Sequence, residues 1–269
     1  MSEAAARFDG NIPENYDRFL GPVIFEPYAK DLARRLESHR GDHVLEIACG
    51  TGIATKLLRR SLPLTCDLTA TDLNPAMLEI AKKQLGELPR LRWQQADAIA
   101  LPFPDSVFSA VACQFGFMFV PDKPAAYREA RRVLSKGGNL VFNVWDSMNA
   151  NPFARIAHDT IGSLFPSDPP AFFKVPFGFF DPEAIQNLLA SNGFDQIKLE
   201  FIPLEARSES AESFAIGCVN GTPISIDIQE RGLSRDSIIE AVAKGLGEIG
   251  GDRPFRSSMQ AIVVTARAA

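Results

Sequence analysis

The stretch Val44–Gly52 constrains the fold of this chain more than any other part of the sequence. It opens with an apolar run interrupted only by Glu46, which is typical of a strand buried in a parallel sheet. Ala48, Gly50 and Gly52 follow, and after them apolar residues recur at helical spacing. A strand, a tight glycine turn and a helix are typical of a nucleotide-binding site. Glycine lets a ligand approach the backbone closely, and the first helical N–H groups are free donors.

The next predicted strand, Leu68–Thr71, ends at an acid. Asp72 lies 20 residues after the last glycine of the turn, and a carboxylate at that strand tip can accept both hydroxyls of a ribose. The alternative is that Asp72 caps the next helix, but Asn74 and Pro75 already supply a cap signal. A dinucleotide fingerprint would need a third glycine where this chain has Thr55. The spacing therefore favours an adenosine derivative without a complete pyrophosphate site.

Two motifs carry a family resemblance, Glu-Ile-Ala-Cys-Gly-Thr-Gly over residues 46–52 and Thr-Asp-Leu-Asn-Pro-Ala-Met-Leu over residues 71–78. They closely resemble class I S-adenosylmethionine-dependent methyltransferases, in particular the small-molecule, methyltransferase type 11-like branch with ubiquinone- and sterol-type enzymes. Ala48 stands where the family pattern has its first glycine, a departure that restricts the approach of the cofactor's methionine end. The resemblance runs from about Tyr16 to Trp145. It implies S-adenosyl-L-methionine as cofactor and S-adenosyl-L-homocysteine as product.

The same resemblance implies the fold. We expect an α/β protein with a Rossmann-like, mostly parallel seven-stranded sheet, helices on both faces and a last antiparallel strand at Gln260–Ala266. A chain of 269 residues is long enough for one elaborated domain. Residues 1–38 would form a helical lid segment, 39–146 the cofactor-binding half, and 147–269 the remainder. Insertions at 147–180 and 208–258 would form a lid over the acceptor pocket.

The family also implies which residues bind the cofactor. Asp97 and Ala98 would recognise adenine, although a solvent-exposed turn acid is the alternative reading of Asp97. Gln114, at the end of the fourth predicted strand, would orient the methionine end or a substrate. Tyr16 would touch the methionine portion from the lid, unless that segment only packs. The predicted cofactor-binding residues are Tyr16, Glu46, Ala48, Gly50, Gly52, Asp72, Leu73, Met77, Asp97, Ala98 and Gln114.

After the fourth strand, Lys123–Leu134 is predicted to be a helix that turns its arginines to solvent. Lys136-Gly-Gly138 is predicted to be the turn into the fifth strand, Asn139–Trp145. Between the insertions, a helix over Asp181–Ser191 and a strand over Gln196–Leu204 complete the sixth unit. These predictions place the last elements of the sheet in the second half of the chain.

Methyl transfer from a sulfonium is an in-line displacement, so the protein mainly excludes water and positions the nucleophile. A protonated acceptor would also need a base. His158 is a weak candidate for that base, and no other residue stands out. The acceptor would be a small molecule with an O, N or C nucleophile, apolar or aromatic in character. The alternatives are an S-adenosylmethionine-binding protein without transferase activity and, less favoured, an NAD-binding oxidoreductase.

Charge and cysteine usage limit the partners. A net charge of −5 argues against nucleic acid as the main partner, because phosphate binding needs a basic face. The four cysteines are scattered and the three histidines lie apart from them, so we expect reduced thiols and no metal site. We see neither a signal peptide nor a membrane-spanning run. The sequence predicts a cytoplasmic protein and leaves its oligomeric state open.

Overall fold

The structure is a computed structural model, and it describes residues 8, 10–37, 39, 41–165 and 167–269. Residues 1–7 of the predicted lid segment, its last residue Ser38, and Pro166 in the first predicted insertion lie outside the described residues.

A seven-stranded sheet organises the described part of the chain. The strands are β1 (His43–Ile47), β2 (Asp67–Asp72), β3 (Leu91–Gln95), β4 (Phe108–Gln114), β5 (Leu134–Trp145), β6 (Phe194–Ser208) and β7 (Phe255–Ala268). They lie in the order β3-β2-β1-β4-β5-β7-β6. β1 pairs in parallel with β2 and β4, β2 with β3, and β4 with β5, whereas β7 runs antiparallel to β5. This confirms the predicted mostly parallel sheet with a last antiparallel strand.

Helices flank the sheet and form most of the two insertions. A π-helix at Tyr16–Phe25 joins the first two α-helices, and short 3-10 turns lie at Phe117–Phe119 and Phe172–Lys174. The α-helices are α1 (Ile12–Asn15), α2 (Glu26–Leu36), α3 (Ile53–Ser61), α4 (Pro75–Leu85), α5 (Lys123–Val133), α6 (Pro152–Ser163), α7 (Pro182–Ser191), α8 (Ala211–Asn220), α9 (Ile224–Glu230) and α10 (Arg235–Gly250). Among the described residues, no helix has the length and apolar character needed to cross a membrane.

The centre of the sheet is buried on both faces. Val44 and Leu45, adjacent on β1 and therefore on opposite faces, are both fully buried. On the Val44 face, α2 and α3 supply Leu32 and Leu58 to one apolar cluster. The Tyr28, Leu32 and Leu36 side chains, four residues apart on one face of α2, are all buried. This core fixes the position of the β1 strand end, where the glycine turn begins.

Two local predictions were wrong. β5 begins at Leu134 rather than after the predicted glycine turn. Gly137 lies within it at φ +73°, near a register shift between β4 and β5. The predicted solvated arginine face is wrong for Arg132, which is half-buried and donates to the carbonyls of Leu101 and Phe103. Arg132 is held by hydrogen bonds to a loop about thirty residues away in sequence. Helical periodicity carries no information about such contacts.

The chain divides into two compact units. The sheet unit comprises Tyr28–Trp145, Phe179–Ile202 and Ala261–Ala269. It contains the glycine turn and the ends of the strands β1 to β4. The helical unit comprises Met1–Pro27, Asp146–Gly178 and Pro203–Gln260. Within the helical unit α10 packs against α6 and α8, and aromatic rings form its core: Phe214 stacks on Phe255 at 5.2 Å and meets Phe153 edge-on at 5.4 Å.

Candidate functional site

The glycine turn after β1 is held open by its backbone conformation. Ala48, Gly50 and Gly52 all have positive φ, at +55°, +57° and +87°. The N–H of Cys49 donates to the carbonyl of Thr71 at 2.9 Å, which fastens the turn to the end of β2. Gly52 is the N-cap of α3, so the predicted order of strand, turn and helix is confirmed.

The two glycines serve different purposes. A Cβ on Gly52 would lie 2.9 Å from the Leu85 side chain, so this glycine lets α3 approach α4 closely. A Cβ on Gly50 would have no described atom within 4 Å. The backbone at Gly50 therefore borders space that a ligand can use.

Ala48 carries more strain than the sequence suggested. Its φ lies in the left-handed region, which costs a residue with a Cβ about 1–2 kcal/mol. Its methyl group also shapes the next strand end, because a Cβ on Gly116 would lie only 2.5 Å from the Ala48 Cβ. Strain at a turn of this kind is a feature of functional sites.

Asp72 joins the glycine turn to the end of β2. One carboxylate oxygen accepts from the Gly50 N–H at 2.8 Å, and the other accepts from the Asn74 N–H at 2.8 Å. Burial raises the pKa of Asp72, and the N–H groups of Asn74 and Gly50 oppose that shift. Asn74 caps α4 by accepting from the Ala76 N–H, as predicted. Each Asp72 oxygen keeps a lone pair that a ribose hydroxyl could use.

Glu46 is the most unusual charge in the sheet unit. Its side chain is 1% exposed, and neither carboxylate oxygen has a hydrogen-bond partner among the described residues. Burial raises its pKa to about 8, the neighbouring Thr55 hydroxyl opposes this shift, and the nearby charge of Asp72 adds to it. An unpartnered buried carboxylate is costly, so this position suits a cationic ligand group.

The third strand end supplies a second polar edge. Asp97 is half-buried and accepts from the Ile99 N–H at 3.0 Å, and Ala98 is buried. An exposed apolar side chain lies close in sequence to each of the acids Asp72 and Asp97: Leu73 is 56% exposed and Ile99 is 38% exposed. Such an arrangement suits an adenine ring, which needs polar edges and apolar faces. Met77, by contrast, is buried on α4.

A half-buried ion pair between Arg132 and Glu129 fixes the loop after Asp97. The Leu101 N–H donates to Glu129 at 2.7 Å, and Arg132 donates to both the Leu101 carbonyl and Glu129. Arg132 lowers the pKa of Glu129, which keeps that carboxylate charged. Sequence reasoning missed this contribution of α5 because the partners lie about thirty residues apart.

The fourth and fifth strands add a residue that sequence reasoning also missed. Gln114, predicted to contact the cofactor or substrate, ends β4 and pairs in register with Asn143 of β5. Asn143 is 1% exposed and accepts from the Phe115 N–H. A single polar residue in the apolar run Leu140–Trp145 was the available signal.

Two predicted site residues belong to the helical unit. Tyr16 stacks on Phe25 at 4.5 Å and lies against Gly221 at the end of α8. His158, on α6, is half-buried, and its Nδ1 has no hydrogen-bond partner among the described residues. Burial lowers the pKa of His158, the charge of Lys174 adds to that effect and Asp159 opposes it. The roles assigned to Tyr16 and His158 stay predictions.

The cysteines take no visible part in the site. All four are free and buried, and burial raises the pKa of Cys113 to about 12. Across the described part of the chain, no cluster of three or more histidine, cysteine or acidic residues could hold a metal ion.

Comparison with known proteins identifies the region around this site. Residues 45–142 match the family described as Methyltransferase domain. This part of the chain is therefore similar to a methyltransferase domain. A demethylmenaquinone methyltransferase of Staphylococcus aureus is 32% identical over 142 residues, which cover 52% of this chain and 59% of that protein. This chain therefore spans little more than half the length of the curated relatives that it matches.

Solved structures agree with the methyltransferase domain in fold. The YcgJ protein from Bacillus subtilis has a TM-score of 0.59 at 18% identity, over 90% of this chain and 98% of that one. Phosphoethanolamine N-methyltransferase 2 of Haemonchus contortus, in complex with S-adenosyl-L-methionine, has a TM-score of 0.60 at 14% identity, over 95% of this chain and 56% of that one. The family match and the curated relatives confirm the predicted methyltransferase resemblance, and the solved structures confirm the Rossmann-like fold.

Proposed function

We propose that this chain transfers a methyl group from S-adenosyl-L-methionine to a small-molecule acceptor. The observation that carries the proposal is the Glu46 carboxylate, buried without a partner among the described residues at the strand that leads into the glycine turn. The amino-acid portion of S-adenosyl-L-methionine carries an ammonium group that would compensate this charge. A nucleotide without a cationic group would leave it unpaired.

The other strand ends support the same ligand. Asp72 would accept the ribose hydroxyls while it holds Gly50 and Asn74 in place. Asp97 would accept a hydrogen bond from the adenine amino group, and the exposed Leu73 and Ile99 side chains would cover the ring. The ligand could approach the backbone at Gly50 without any rearrangement, because that position borders open space. These residues bind and orient; none of them needs to exchange a proton with the acceptor.

The bound cofactor would supply an electrophilic methyl group for in-line displacement. The chain's own contribution is then positional, since an activated donor needs the nucleophile at contact distance and water excluded. The buried, stacked pair of Phe115 and Trp145, with rings 4.1 Å apart, forms an apolar wall at the ends of β4 and β5. This wall would exclude water beside the site.

For the acceptor, we propose an apolar or aromatic small molecule. The matched relatives from Staphylococcus aureus are named for methylating demethylmenaquinone, a compound of this kind. The Tyr16 contact to the cofactor and the His158 base belong to the same proposal. We also propose that the protein works in the cytoplasm, which its four free, buried thiols support.

Calorimetric titration with S-adenosyl-L-methionine and S-adenosyl-L-homocysteine tests the proposal. Wild type should bind both, and Asp72→Ala should weaken binding about tenfold or more, or ~1.4 kcal/mol. Asp67→Ala is the matched control, because Asp67 lies at the opposite end of β2 and pairs with Arg90 on the surface. It should leave the affinity within about twofold. A folded wild-type protein that binds neither compound would overturn the proposal.

A second measurement separates transfer from binding alone. S-adenosyl-L-homocysteine formation should rise above the no-acceptor background with at least one apolar ring compound, quinols first. Binding of the cofactor without turnover on any acceptor would favour a cofactor-binding protein that lacks transferase activity.

A further inference from the structure

Asn143 is a buried amide with one end in use. Its Oδ1 accepts from the Phe115 N–H at 3.0 Å, and its own carbonyl accepts from the same N–H at 3.1 Å. Because an N–H donor can only face an acceptor, this contact fixes which end of the amide is oxygen. The other end, Nδ2, is buried and has no hydrogen-bond partner among the described residues.

The strand register places Asn143 on the same face of the sheet as Glu46. Glu46 pairs with Ala112, and Gln114 pairs with Asn143. Ala112 and Gln114 are two residues apart on β4, so their side chains project from one face. An unpartnered acceptor, Glu46 on β1, and an unpartnered donor, Asn143 on β5, thus lie on one face at neighbouring levels of the sheet, with β4 between their strands.

The backbone at Phe115 and Gly116, which follows β4 and contacts Asn143, is tightly constrained where it meets the glycine turn. Phe115 has φ +52°, a conformation that a bulky aromatic residue rarely adopts. The next residue, Gly116, has no room for a Cβ because Ala48 and Cys113 stand 2.5 and 2.7 Å from that position. The Asn143 amide therefore supports a turn that abuts the residue at the first position of the glycine motif.

We propose that Asn143 Nδ2 donates a hydrogen bond to the carboxylate of the amino-acid portion of bound S-adenosyl-L-methionine, while Glu46 accepts from its ammonium group. The inference rests on the proposed function and adds Asn143 to the binding residues. A donor and an acceptor left unpaired on one buried face match a zwitterion, which presents one anionic and one cationic group from the same carbon. A ligand without that portion leaves both groups unpaired.

The test compares two ligands that differ only in this portion. S-adenosyl-L-homocysteine carries the amino-acid group, and 5′-methylthioadenosine keeps the adenosine and sulfur but lacks it. Calorimetry should show that Asn143→Leu weakens S-adenosyl-L-homocysteine binding about tenfold or more and changes 5′-methylthioadenosine binding less than about twofold. Asn139→Leu, four residues earlier on β5, is the matched control and should change neither affinity.

A second variant guards against loss of folding. Asn143→Asp keeps the size of the side chain and an acceptor for the Phe115 N–H, and at pH 8 it should weaken S-adenosyl-L-homocysteine selectively. Equal weakening of both ligands would mean that Asn143 only supports the turn, and unchanged affinities would mean that water satisfies Nδ2; either result overturns the inference. Failure of wild type to bind either ligand would instead be a failure of the proposed function.

Discussion

At the strand ends the sheet unit buries the carboxylate of Glu46 and half-buries that of Asp72, whereas the helical unit is packed around phenylalanine rings such as Phe214. Both regions are tightly packed, but the buried charges cost stability and the rings supply it. A group that lowers stability without a partner in the protein is explained by a ligand that compensates it. The comparison therefore supports the proposed ligand binding at the polar strand ends and a structural role for the ring cluster.

The largest effect is expected from removing a ring of the helical unit. Phe214 is fully buried between Phe153 and Phe255. Phe214→Ala should lower the free energy of unfolding by about 3–5 kcal/mol, measured by urea denaturation, because a large cavity forms. Phe201→Ala is the control: that side chain is 48% exposed on β6, and its loss should cost less than about 0.5 kcal/mol. Equal losses of stability in the two variants would contradict the structural role of the ring cluster.

A smaller loss of stability is expected where the glycine turn meets β4. Gly116→Ala would place a Cβ 2.5 Å from the Ala48 Cβ, so the two turns must shift apart. We expect about 1–3 kcal/mol of destabilisation from overpacking and weaker S-adenosyl-L-homocysteine binding in calorimetry. Unchanged affinity in a destabilised variant would show that the contact is structural only.

The raised pKa of Glu46 should make the stability of the protein depend on pH. Its pKa is about 8 in the folded protein and lies near 4 in the unfolded chain, so the folded state binds more protons between these values. Stability should therefore fall as pH rises through this window, by up to about 1.4 kcal/mol per pH unit from this group. Urea denaturation at several pH values should show this slope in wild type and lose it in Glu46→Gln.

Ligand binding gives the same group a second readout. Pairing with an ammonium favours the ionised carboxylate, so S-adenosyl-L-homocysteine should displace a proton from Glu46 at pH 7. Calorimetry in buffers of different ionisation enthalpy should detect this release in wild type. If Glu46→Gln released as many protons, the ammonium contact would be wrong.

The smallest effect is expected from a glycine in the helical unit. A Cβ on Gly162 of α6 would meet only the Pro169 Cβ at 3.8 Å among described atoms, an ordinary contact. Gly162→Ala should raise the free energy of unfolding by about 0.4–1 kcal/mol, because alanine loses less backbone entropy on folding. A thermal melt compares its sign directly with that of Gly116→Ala, and a destabilised Gly162→Ala would show that the helical unit is as tightly constrained there as the glycine turn.

The sequence alone determined the strand, the turn and the acid of the candidate site. Val44–Ile47, the glycine turn and Asp72 could be read directly because they are local: a strand, a turn and an acid at fixed spacing meet at one sheet edge once the strands are parallel. The family motifs extended that reading to Asp97 and Gln114. The fold class followed from the same order of elements.

Only the tertiary structure decided how these groups are paired. The orphaned carboxylate of Glu46, the half-used amide of Asn143 and the Arg132 contacts to Leu101 each depend on residues brought together from distant parts of the chain. Hydropathy and spacing report neighbours along the sequence, whereas burial and hydrogen-bond partnership are set by strand register and helix packing. The physical reason is that the energy of a polar group depends on what surrounds it, and the surroundings exist only after the chain has folded.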